Sequence, residues 1–426
     1  MMQLNETFQK HFQEREFEQP TLIQEQVFQP LVNDQDVLGI APTGSGKTLA
    51  FSWPLLPKLM PQQGVQLVVL EPSQELAIQT SQVLKEWGAL IGIKVQSLTG
   101  GANLKRQAER LKKSHPEVVV GTPGRLAHLL DERILKLHRV ITVVIDEADE
   151  LLSDDSQAQV LRVIQTVPTD AQIALFSATS GDLTSQLGKL FDRDFTIVDV
   201  RADDHSRGQV NHGLVKASTM SDKAVMLERL SHTKNFRALV FFTSIKTLHY
   251  TASRLQHAGV PVASLGGRQR QTEREDMLRR FRKRQVKLLL TTDVAARGLD
   301  IPKLPAVVNF ELPNSADAYV HRTGRTGRQG EPGTVINLGN DHDFRDLKKL
   351  LAETDYELTP MTIARQKVMD QEKAKELAKT TLKPKAENRG KAARPASQPA
   401  TPVKPRKKKN RKNKGIRLKH RRKSQG

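Results

Sequence analysis

The sequence lacks cysteine, long apolar runs and a high content of aromatic residues. Its 426 residues include no Cys, and Phe, Trp and Tyr together make up 4% of them. Without thiols the chain can form neither disulfides nor thiolate metal sites. No apolar run reaches a membrane-spanning length, and residues 1–20 are polar and mixed in charge, so the sequence predicts no membrane span and no secretory signal. These absences favour a soluble cytoplasmic protein.

Positive charge is in excess at only one end of the chain. Of the formal net charge of +20, residues 371–426 carry +18, because 21 Lys and Arg stand there against 3 Asp and Glu. A block of like charges with little apolar surface repels itself and cannot form a core. We therefore predict a disordered tail, which either binds nucleic acid phosphates without sequence preference or serves solubility or nuclear targeting.

Two successive stretches predict two α/β domains, each a parallel sheet flanked by helices. Short runs that are apolar throughout, as in buried parallel strands, alternate with longer helix-like segments. In the first stretch these runs lie at 37–40, 67–70, 118–120, 142–145 and 173–176. In the second stretch they lie at 238–242, 262–265, 287–291, 306–309 and 334–338.

Composition sets the expected boundaries between these parts. Residues 201–208 are polar and poor in apolar side chains, which is typical of a linker. The strand pattern stops near Met361, and a charged helical segment is expected near 364–379. We predict a first domain at 1–203, a linker at 204–209, a second domain at 210–360 and a basic tail at 361–426.

A phosphate-binding loop follows the first predicted strand. Its sequence is Ala41-Pro42-Thr43-Gly44-Ser45-Gly46-Lys47-Thr48. Glycines let the backbone N–H groups surround a phosphate, and the helix that follows directs its positive dipole end at the same anion. Lys47 is placed for the β- and γ-phosphates of a nucleotide, and the Thr48 hydroxyl is placed for Mg²⁺.

Adjacent carboxylates follow another apolar strand. Asp146 and Glu147 come directly after Val143-Val144-Ile145, at the strand edge where α/β sheets bind ligands. Asp146 can hold Mg²⁺, and Glu147 can orient and deprotonate an attacking water. An acidic helix N-terminus is the alternative interpretation, which fits poorly in a chain that already has a phosphate-binding loop.

Asp146-Glu147-Ala148-Asp149 is the signature of the DEAD-box RNA helicases, and the chain resembles this family from about residue 17 to 340. Other family motifs occur in the expected order. They are the Q motif (Phe17, Pro20, Thr21, Gln24), Gly100-Gly101, Thr122-Pro123-Gly124-Arg125, Ser177-Ala178-Thr179, Gln271 with Arg274, residues 292–300, and the run from His321-Arg322 to Arg328. The resemblance implies two tandem RecA-like domains with one ATP site between them.

The resemblance also implies roles for single residues. Phe17, Gln24, residues 41–48, Gly298 and Asp300 would bind ATP, with Thr48 and Asp146 holding Mg²⁺. Catalysis would use Asp146, Glu147, Arg325 and Arg328, the two arginines reaching across the cleft to the γ-phosphate. RNA would contact Gly100, Gly101, Thr122, Pro123, Gly124, Arg125, Arg274 and Thr292. Coupling would use Asp149, Ser177, Ala178, Thr179, His321 and Arg322.

The chain departs from the family pattern at three places. Gln74 replaces the arginine of the usual Pro-Thr-Arg-Glu-Leu-Ala motif, and Gly266-Gly267-Arg268 replaces His-Gly-Asp. The segment before the Q motif is short, so that the upstream aromatic residue that helps to hold adenine is either Phe8 or absent.

The resulting expectation is an RNA-stimulated ATPase that converts ATP to ADP and phosphate and locally unwinds RNA. An ATP-gated RNA clamp or annealing chaperone uses the same motifs and remains an alternative, whereas the Q motif counts against a DNA translocase. The layout resembles short bacterial members linked to ribosome assembly, RNA turnover and cold adaptation, and a eukaryotic nucleolar protein is the alternative. The expected partners are RNA, read through its backbone, and ribosomal or precursor-ribosomal particles, bound by a monomer.

Overall fold

The computed structural model describes residues 2–100, 103–180, 183–204, 208–267, 269, 271–296, 301, 304–327, 330–364 and 367–374. The predicted tail beyond residue 374, and Gly101, Gly298, Asp300 and Arg328 among the predicted site residues, lie outside these ranges. Within the ranges, none of the helices combines the length and apolar character that crossing a membrane requires.

The first domain is a seven-stranded sheet with helices on both faces. Its strands are β1 (Val37–Ile40), β2 (Leu67–Leu70), β3 (Val95–Leu98), β4 (Val118–Gly121), β5 (Thr142–Ile145), β6 (Gln172–Ser177) and β7 (Thr196–Asp199). Its α-helices are α1 (Glu6–Glu14), α2 (Leu22–Val32), α3 (Lys47–Leu55), α4 (Gln74–Ala89), α5 (Leu104–Ser114), α6 (Pro123–Asp131), α7 (Ala148–Leu151), α8 (Asp154–Ile164) and α9 (Leu183–Phe191). The strand order is β3-β4-β2-β5-β6-β1-β7, and each neighbouring pair is parallel.

The second domain repeats this plan with one strand more. Its strands are β8 (Val210–Lys216), β9 (Ala238–Phe242), β10 (Val262–Leu265), β11 (Leu288–Thr292), β12 (Ala306–Asn309), β13 (Gly333–Gly339), β14 (Leu358–Ala364) and β15 (Lys367–Asp370). Its helices are α10 (Met220–Ser231), α11 (Ile245–His257), α12 (Gln271–Arg282), α13 (Asp293–Ala296), α14 (Ala316–Thr323) and α15 (Asp341–Leu350). The order is β10-β11-β9-β12-β13-β8-β14-β15, and only the β14–β15 pair is antiparallel.

Each sheet is buried on both faces, which is why its central strands are apolar throughout. In the first domain, Phe51 of α3 and Leu84 of α4 pack on one face, and Leu126 of α6 and Val160 of α8 pack on the other. In the second domain, α10 and α11 cover one face, while α12, α14 and α15 cover the other. These layers confirm the predicted fold of two RecA-like domains, each a parallel sheet flanked by helices.

Three of the strands that the apolar runs did not predict differ from the central strands in position or in polar content. β3 and β7 are edge strands, and each carries polar residues on its more exposed side. In β8 the apolar pattern is interrupted by His212, which is buried because its Nδ1 lies 2.8 Å from the Tyr319 hydroxyl.

The predicted end of the second domain is wrong. β14 pairs with β8, and β15 pairs with β14, so the sheet continues to Asp370 instead of stopping near Met361. Within the segment predicted as helical at 364–379, residues 367–370 form β15 and residues 371–374 are helical, and residues 375–379 lie outside the described residues. Met361 lies against Gly213 of β8, so that the first residue of the predicted tail packs against the core of the second domain.

Candidate active site

The loop between β1 and α3 has the backbone shape of a phosphate cradle. Gly44 and Gly46 have φ of 88° and 86°, in the left-handed region that glycine adopts without steric cost. The buried Lys47 side chain folds back on the loop, where its Nζ donates to the Ala41 carbonyl at 3.2 Å. Ser45 Oγ is buried without a hydrogen-bond partner among the described residues. These donors at the N-terminus of α3 suit an anion.

The Q motif packs directly on this loop. Gln24 is buried, its Oε1 accepts from Thr21 N at 2.9 Å, and its Nε2 donates to Gly46 O at 3.1 Å. Thr21 Oγ1 donates to Ser45 O at 2.7 Å. A Cβ at position 46 would clash with Gln24 Nε2, so both the φ angle and the space require glycine there. Each end of the Gln24 amide retains capacity for a second hydrogen bond, as recognition of a base edge requires.

Two aromatic residues of the N-terminal segment lie in different environments. Phe17 is half-buried and packs edge-on against Phe12, with ring centroids 5.3 Å apart. Phe8 is fully buried, and its ring meets Trp87 at 5.2 Å in the core of the first domain. The interpretation of Phe8 as an adenine-contacting residue is therefore wrong, because Phe8 anchors α1 to α4.

The predicted acid pair lies at the carboxyl edge of the same sheet. Asp146 is buried at the end of β5, and burial, followed by the charge of Glu147, raises its pKa to about 7 against the opposing effect of Lys47. Glu147 adopts φ of 50°, and its Oε2 is buried without a hydrogen-bond partner in the described part of the chain. A buried carboxylate oxygen without a donor is costly and commonly marks a functional position.

The structure adds Glu71, which the sequence interpretation missed. Glu71 is fully buried at the end of β2, and burial together with the charge of Asp146 raises its pKa well above the usual range. The signal was present in the sequence, because Glu71 follows the apolar strand Leu67–Leu70 just as Asp146 follows Thr142–Ile145. β2 and β5 are neighbours, so both acids stand at one point of the sheet edge.

Asp149 joins the two domains. Its Oδ2 accepts from Thr179 Oγ1 at 2.5 Å and lies 3.1 Å from Nε2 of His321 in the second domain. Burial alone would raise the pKa of Asp149, but the hydrogen bonds and charge of His321, together with Thr179, lower it to about 2. Burial opposes protonation of His321, yet Asp149 outweighs it and the pKa of His321 is raised. In this contact between domains, each partner therefore favours the charged form of the other.

The segment after β6 links this contact to the phosphate-binding loop. Ser177 is buried, its carbonyl accepts from Ala41 N at 3.0 Å, and its Oγ accepts from Thr179 N at 3.1 Å. Ala178 between them is also buried. One continuous set of hydrogen bonds thus runs from the loop through Thr179 and Asp149 to the second domain.

Two arginines of the second domain have different surroundings. Arg322 is buried, and its guanidinium forms a bidentate pair with Asp293 at 2.6 and 2.7 Å and donates to Asn309 Oδ1 at 3.0 Å. These bonds tie α14 to α13 and β12 within one domain. Both arginines line a cavity of about 250 Å³ between the domains, together with Asp149. They differ in that the guanidinium of Arg322 is held by Asp293 and Asn309 of its own domain.

A second glycine contact brings the domains together at the phosphate-binding loop. Gly324, next to Arg325, lies so close to Thr43 that a Cβ at position 324 would clash with Thr43 Oγ1. The sequence interpretation assigned no role to this pair. The two domains therefore meet at the loop itself as well as through Asp149 and His321.

A groove of about 800 Å³ crosses from the first domain to the second. It is lined by residues of the predicted RNA motifs and their neighbours: Pro72, Ser73, Gln74, Glu75, Thr122, Pro123, Gly124, Thr243, Gly267, Arg274, Thr292 and Ala295. Thr122 precedes α6, whose N-terminus opens into the groove and suits a phosphate. Gly124 faces Gln159, since a Cβ there would lie 2.8 Å from Gln159 Oε1.

Glu75 and Arg274 bridge this groove, with Nε and Oε1 2.5 Å apart. Arg274 Nη2 also donates to Ala295 O at 2.6 Å. Arg125 contacts α5, where its Nε donates to Gln107 Oε1 at 2.9 Å. Gln74, the departure from the family motif, lies against Gly100, whose Cβ would be 2.9 Å from Gln74 Nε2. Of the predicted RNA residues, Thr122, Pro123, Gly124, Arg274 and Thr292 thus line one groove, and Arg274 pairs across it with Glu75.

The cleft fits a nucleotide with Mg²⁺. Buried Ser45 Oγ and Glu147 Oε2 remain without partners in the described structure, and Lys47, Thr48 and Asp146 stand around the same loop. Within the described ranges no three His, Asp or Glu side chains form a metal-binding cluster. Mg²⁺ typically binds through one or two carboxylates plus substrate phosphates, which is the donor set that this cleft offers.

A phosphate-binding loop and acids in one RecA-like domain, facing arginines of a second, define the core of a nucleotide-driven helicase. The family model "DEAD/DEAH box helicase" matches residues 21–186, and the model "Helicase conserved C-terminal domain" matches residues 222–330. The chain belongs to the DEAD-box family of ATP-dependent RNA helicases.

Individual relatives agree with this assignment. The chain is 38% identical to the probable ATP-dependent RNA helicase YfmL of Bacillus subtilis, a match that covers 82% of this chain and 92% of the relative. It is 36% identical to the DEAD-box ATP-dependent RNA helicase CshC of Bacillus cereus, covering 80% and 87%. The structure of S. cerevisiae Dbp5 bound to RNA and ADP BeF3 is similar with a TM-score of 0.75 at 29% identity, covering 89% and 98%.

Proposed function

We propose that the chain hydrolyses ATP to ADP and phosphate between its two domains and couples hydrolysis to local unwinding of RNA. The observation that carries this proposal is the hydrogen-bonded path from Ala41 through Ser177, Thr179 and Asp149 to His321. Because this path connects the phosphate-binding loop to the second domain, a change at the γ-phosphate can alter the domain contact.

The roles of the nucleotide residues follow from their positions. Phe17 and Gln24 would hold adenine, residues 41–48 would hold the phosphates, and Glu147 would deprotonate the attacking water. Thr48 and Asp146 would hold Mg²⁺, which when bound supplies positive charge to the phosphate oxygens. Arg325 would stabilise charge on the transferred phosphoryl group. Arg328, Gly298 and Asp300 are assigned to this site by family resemblance alone.

RNA would lie in the 800 Å³ groove with its phosphates at the N-terminus of α6 and at Arg274. Contacts from backbone N–H groups, glycines and threonines suit the sugar–phosphate chain and give little base readout. The setting that we propose is cytoplasmic, with a monomer acting on ribosomal or precursor-ribosomal RNA during ribosome assembly, RNA turnover or growth in the cold.

ATPase and strand-displacement assays with matched RNA and DNA duplexes test the function. We expect RNA to stimulate ATP hydrolysis and short RNA duplexes to separate, with little response to DNA. Hydrolysis without strand separation would favour an ATP-gated clamp or annealing chaperone. Equal stimulation by DNA would contradict the RNA assignment.

The basic segment 371–426 would be an electrostatic tether for RNA, because it holds +18 of the +20 charge. For single strands, log affinity falls with log salt by about 0.7 per phosphate neutralised. Ending the chain after Asp370 should flatten this slope and raise the RNA concentration that half-saturates ATPase, with maximal ATPase unchanged. Salt titrations of RNA binding by both chains measure the effect, and an unchanged slope would favour a role in solubility or targeting.

A further inference from the structure

The first domain contains two fully buried glutamates, Glu71 and Glu117, whose carboxylates are bonded differently. Both Glu117 oxygens accept backbone hydrogen bonds, from Gln62 N and Lys94 N, each at 2.7 Å. One Glu71 oxygen accepts from Thr80 Oγ1 at 2.5 Å, while Oε2 is buried without a hydrogen-bond partner in the described residues. Both oxygens of the Glu117 carboxylate therefore have hydrogen-bond donors from the surrounding fold, whereas one oxygen of Glu71 has none among the described residues.

The unpartnered oxygen lies at the nucleotide end of the sheet. β2 and β5 pair in parallel with Leu70 opposite Ile145, so that the next residues, Glu71 and Asp146, are neighbours. Val69 and Val144, which stand two positions before Glu71 and Asp146, both pack in the core cluster that contains Phe51 of α3. Since side chains alternate along a strand, Glu71 and Asp146 project to this same face, which is the face of the phosphate-binding helix.

We propose that Glu71 is a positioning residue for the metal of this site, which strengthens Mg²⁺ binding by placing a third carboxylate beside Asp146 and Glu147. The inference rests on the proposed function, which assigns Mg²⁺ to Thr48 and Asp146. Mg²⁺ usually keeps several waters, and these need acceptors around the direct ligands. Glu71 Oε2 is an acceptor of this kind, held in place by Thr80 on α4.

The test uses the full chain and measures binding of a fluorescent ATP analogue as Mg²⁺ is titrated. Glu71→Gln keeps the shape and the acceptor for Thr80 but replaces the second carboxyl oxygen by an amide nitrogen, which donates and cannot accept. Loss of an outer partner of a metal site typically weakens metal affinity roughly 10–100-fold, so the Mg²⁺ concentration at half-saturation should rise by about tenfold or more. Glu117→Gln, which removes an equally buried carboxylate at the other end of the sheet, should leave it unchanged.

Binding of the analogue without metal separates this role from a structural one. Replacing one carboxyl oxygen of Glu71 by an amide nitrogen should leave metal-free binding of the analogue equal or tighter, whereas a distorted loop would weaken binding with and without Mg²⁺. Glu71→Asp keeps both carboxyl oxygens but withdraws them by one methylene, so its half-saturating Mg²⁺ concentration should lie between those of the parent and Glu71→Gln. If Glu71→Gln does not fold, as judged by thermal unfolding, Glu71→Asp compared with Glu117→Asp decides the question.

The outcomes distinguish this inference from the proposed function. A parent chain that requires Mg²⁺ while its folded Glu71→Gln variant has the same requirement would overturn the role of Glu71 alone. A parent chain that binds the analogue equally with and without Mg²⁺ would contradict the metal assignment in the proposed function. It would also contradict the role of Glu71, which depends on that assignment.

Discussion

The two domains share a strand order but differ in the residues that come directly after corresponding strands. β1 of the first sheet and β8 of the second occupy corresponding places, as do β5 and β12. The first domain places a phosphate-binding loop after β1 and acids after β5. In the second domain, β8 leads into a helix whose start is capped by Thr219 and Asp222, with no glycine-rich loop between them.

Glu147 and Glu311 make this difference explicit. Each is the second residue after its strand, β5 or β12. Glu311 Oε2 accepts from Thr243 N, Thr243 Oγ1 and Ser244 N at 2.8, 3.0 and 3.0 Å, and thereby caps the start of α11. Glu147 Oε2 has no such donors within the described structure. The same residue at the same topological place is structural in one domain and available for chemistry in the other.

This comparison shows why the cleft needs both domains. The first domain concentrates carboxylates around its single phosphate-binding loop, and the second contributes cationic side chains, His321 and Arg325, from one helix and the turn after it. Neither set of charged side chains alone compensates the charge on a nucleotide and its metal during phosphoryl transfer. Substitutions at matched places in the two domains should therefore have unequal effects.

The largest expected effect is at Arg325. Arg325→Ala should lower the maximal RNA-stimulated ATPase rate by roughly 10³–10⁵-fold, because an arginine finger stabilises the transition-state charge. Nucleotide binding, measured by fluorescence, should change much less. Arg345→Ala, at an exposed position on α15 of the same domain, is the matched control. An ATPase rate within a few-fold of the parent would remove Arg325 from the catalytic set.

The second effect compares the two glutamates. Glu147→Gln should lower turnover by roughly 10²–10⁴-fold, the usual contribution of a general base, while thermal stability is retained. Glu311→Gln should instead lower stability, by about 1–3 kcal/mol for a weakened set of hydrogen bonds to a charged group, and keep most of the turnover per folded molecule. Thermal unfolding and ATPase assays on both variants measure this. A reversed pattern would contradict the assignment of chemistry to the first domain.

The sequence predicted the features that depend on local pattern. Central strands such as β2 and β5 were predictable because burial on both faces requires apolar runs. The phosphate-binding loop was predictable because its glycines let the backbone adopt positive φ angles around an anion. Edge strands β3 and β7, and β8 with its buried His212, lack that signal. Glu71 could have been found from the sequence only if every acidic residue that directly follows an apolar strand had been considered as a candidate site residue. The Asp149–His321 contact joins residues 172 positions apart, and spacing alone cannot place it.

The smallest expected effect is a pH dependence of the contact between domains. The pKa of His321 is raised, so its contribution is fully present below its ordinary pKa of 6.5 and is lost as pH rises through the raised value. The pKa of Asp149 is lowered to about 2, so its contribution is present above 3.8 and is lost as pH falls toward 2. The contact should therefore be strongest between about pH 4 and 6.5 and weaken on the alkaline side.

Fluorescence transfer between labels on the two domains, with RNA and a nonhydrolysable ATP analogue present, measures this dependence. We expect the fraction of molecules with the domains in contact to fall a few-fold from pH 6 to pH 9. This corresponds to a loss on the order of 1 kcal/mol, the contribution of a charged hydrogen bond that is partly exposed. The other charges acting on His321 are Glu147, which raises its pKa, and Arg325, which lowers it. His321→Gln should flatten the pH profile, whereas His342→Gln, which alters an exposed pair with Asp346, should not. An equally steep profile in His321→Gln would show that another group controls the contact, since His321 is the residue that bridges to Asp149 in the structure.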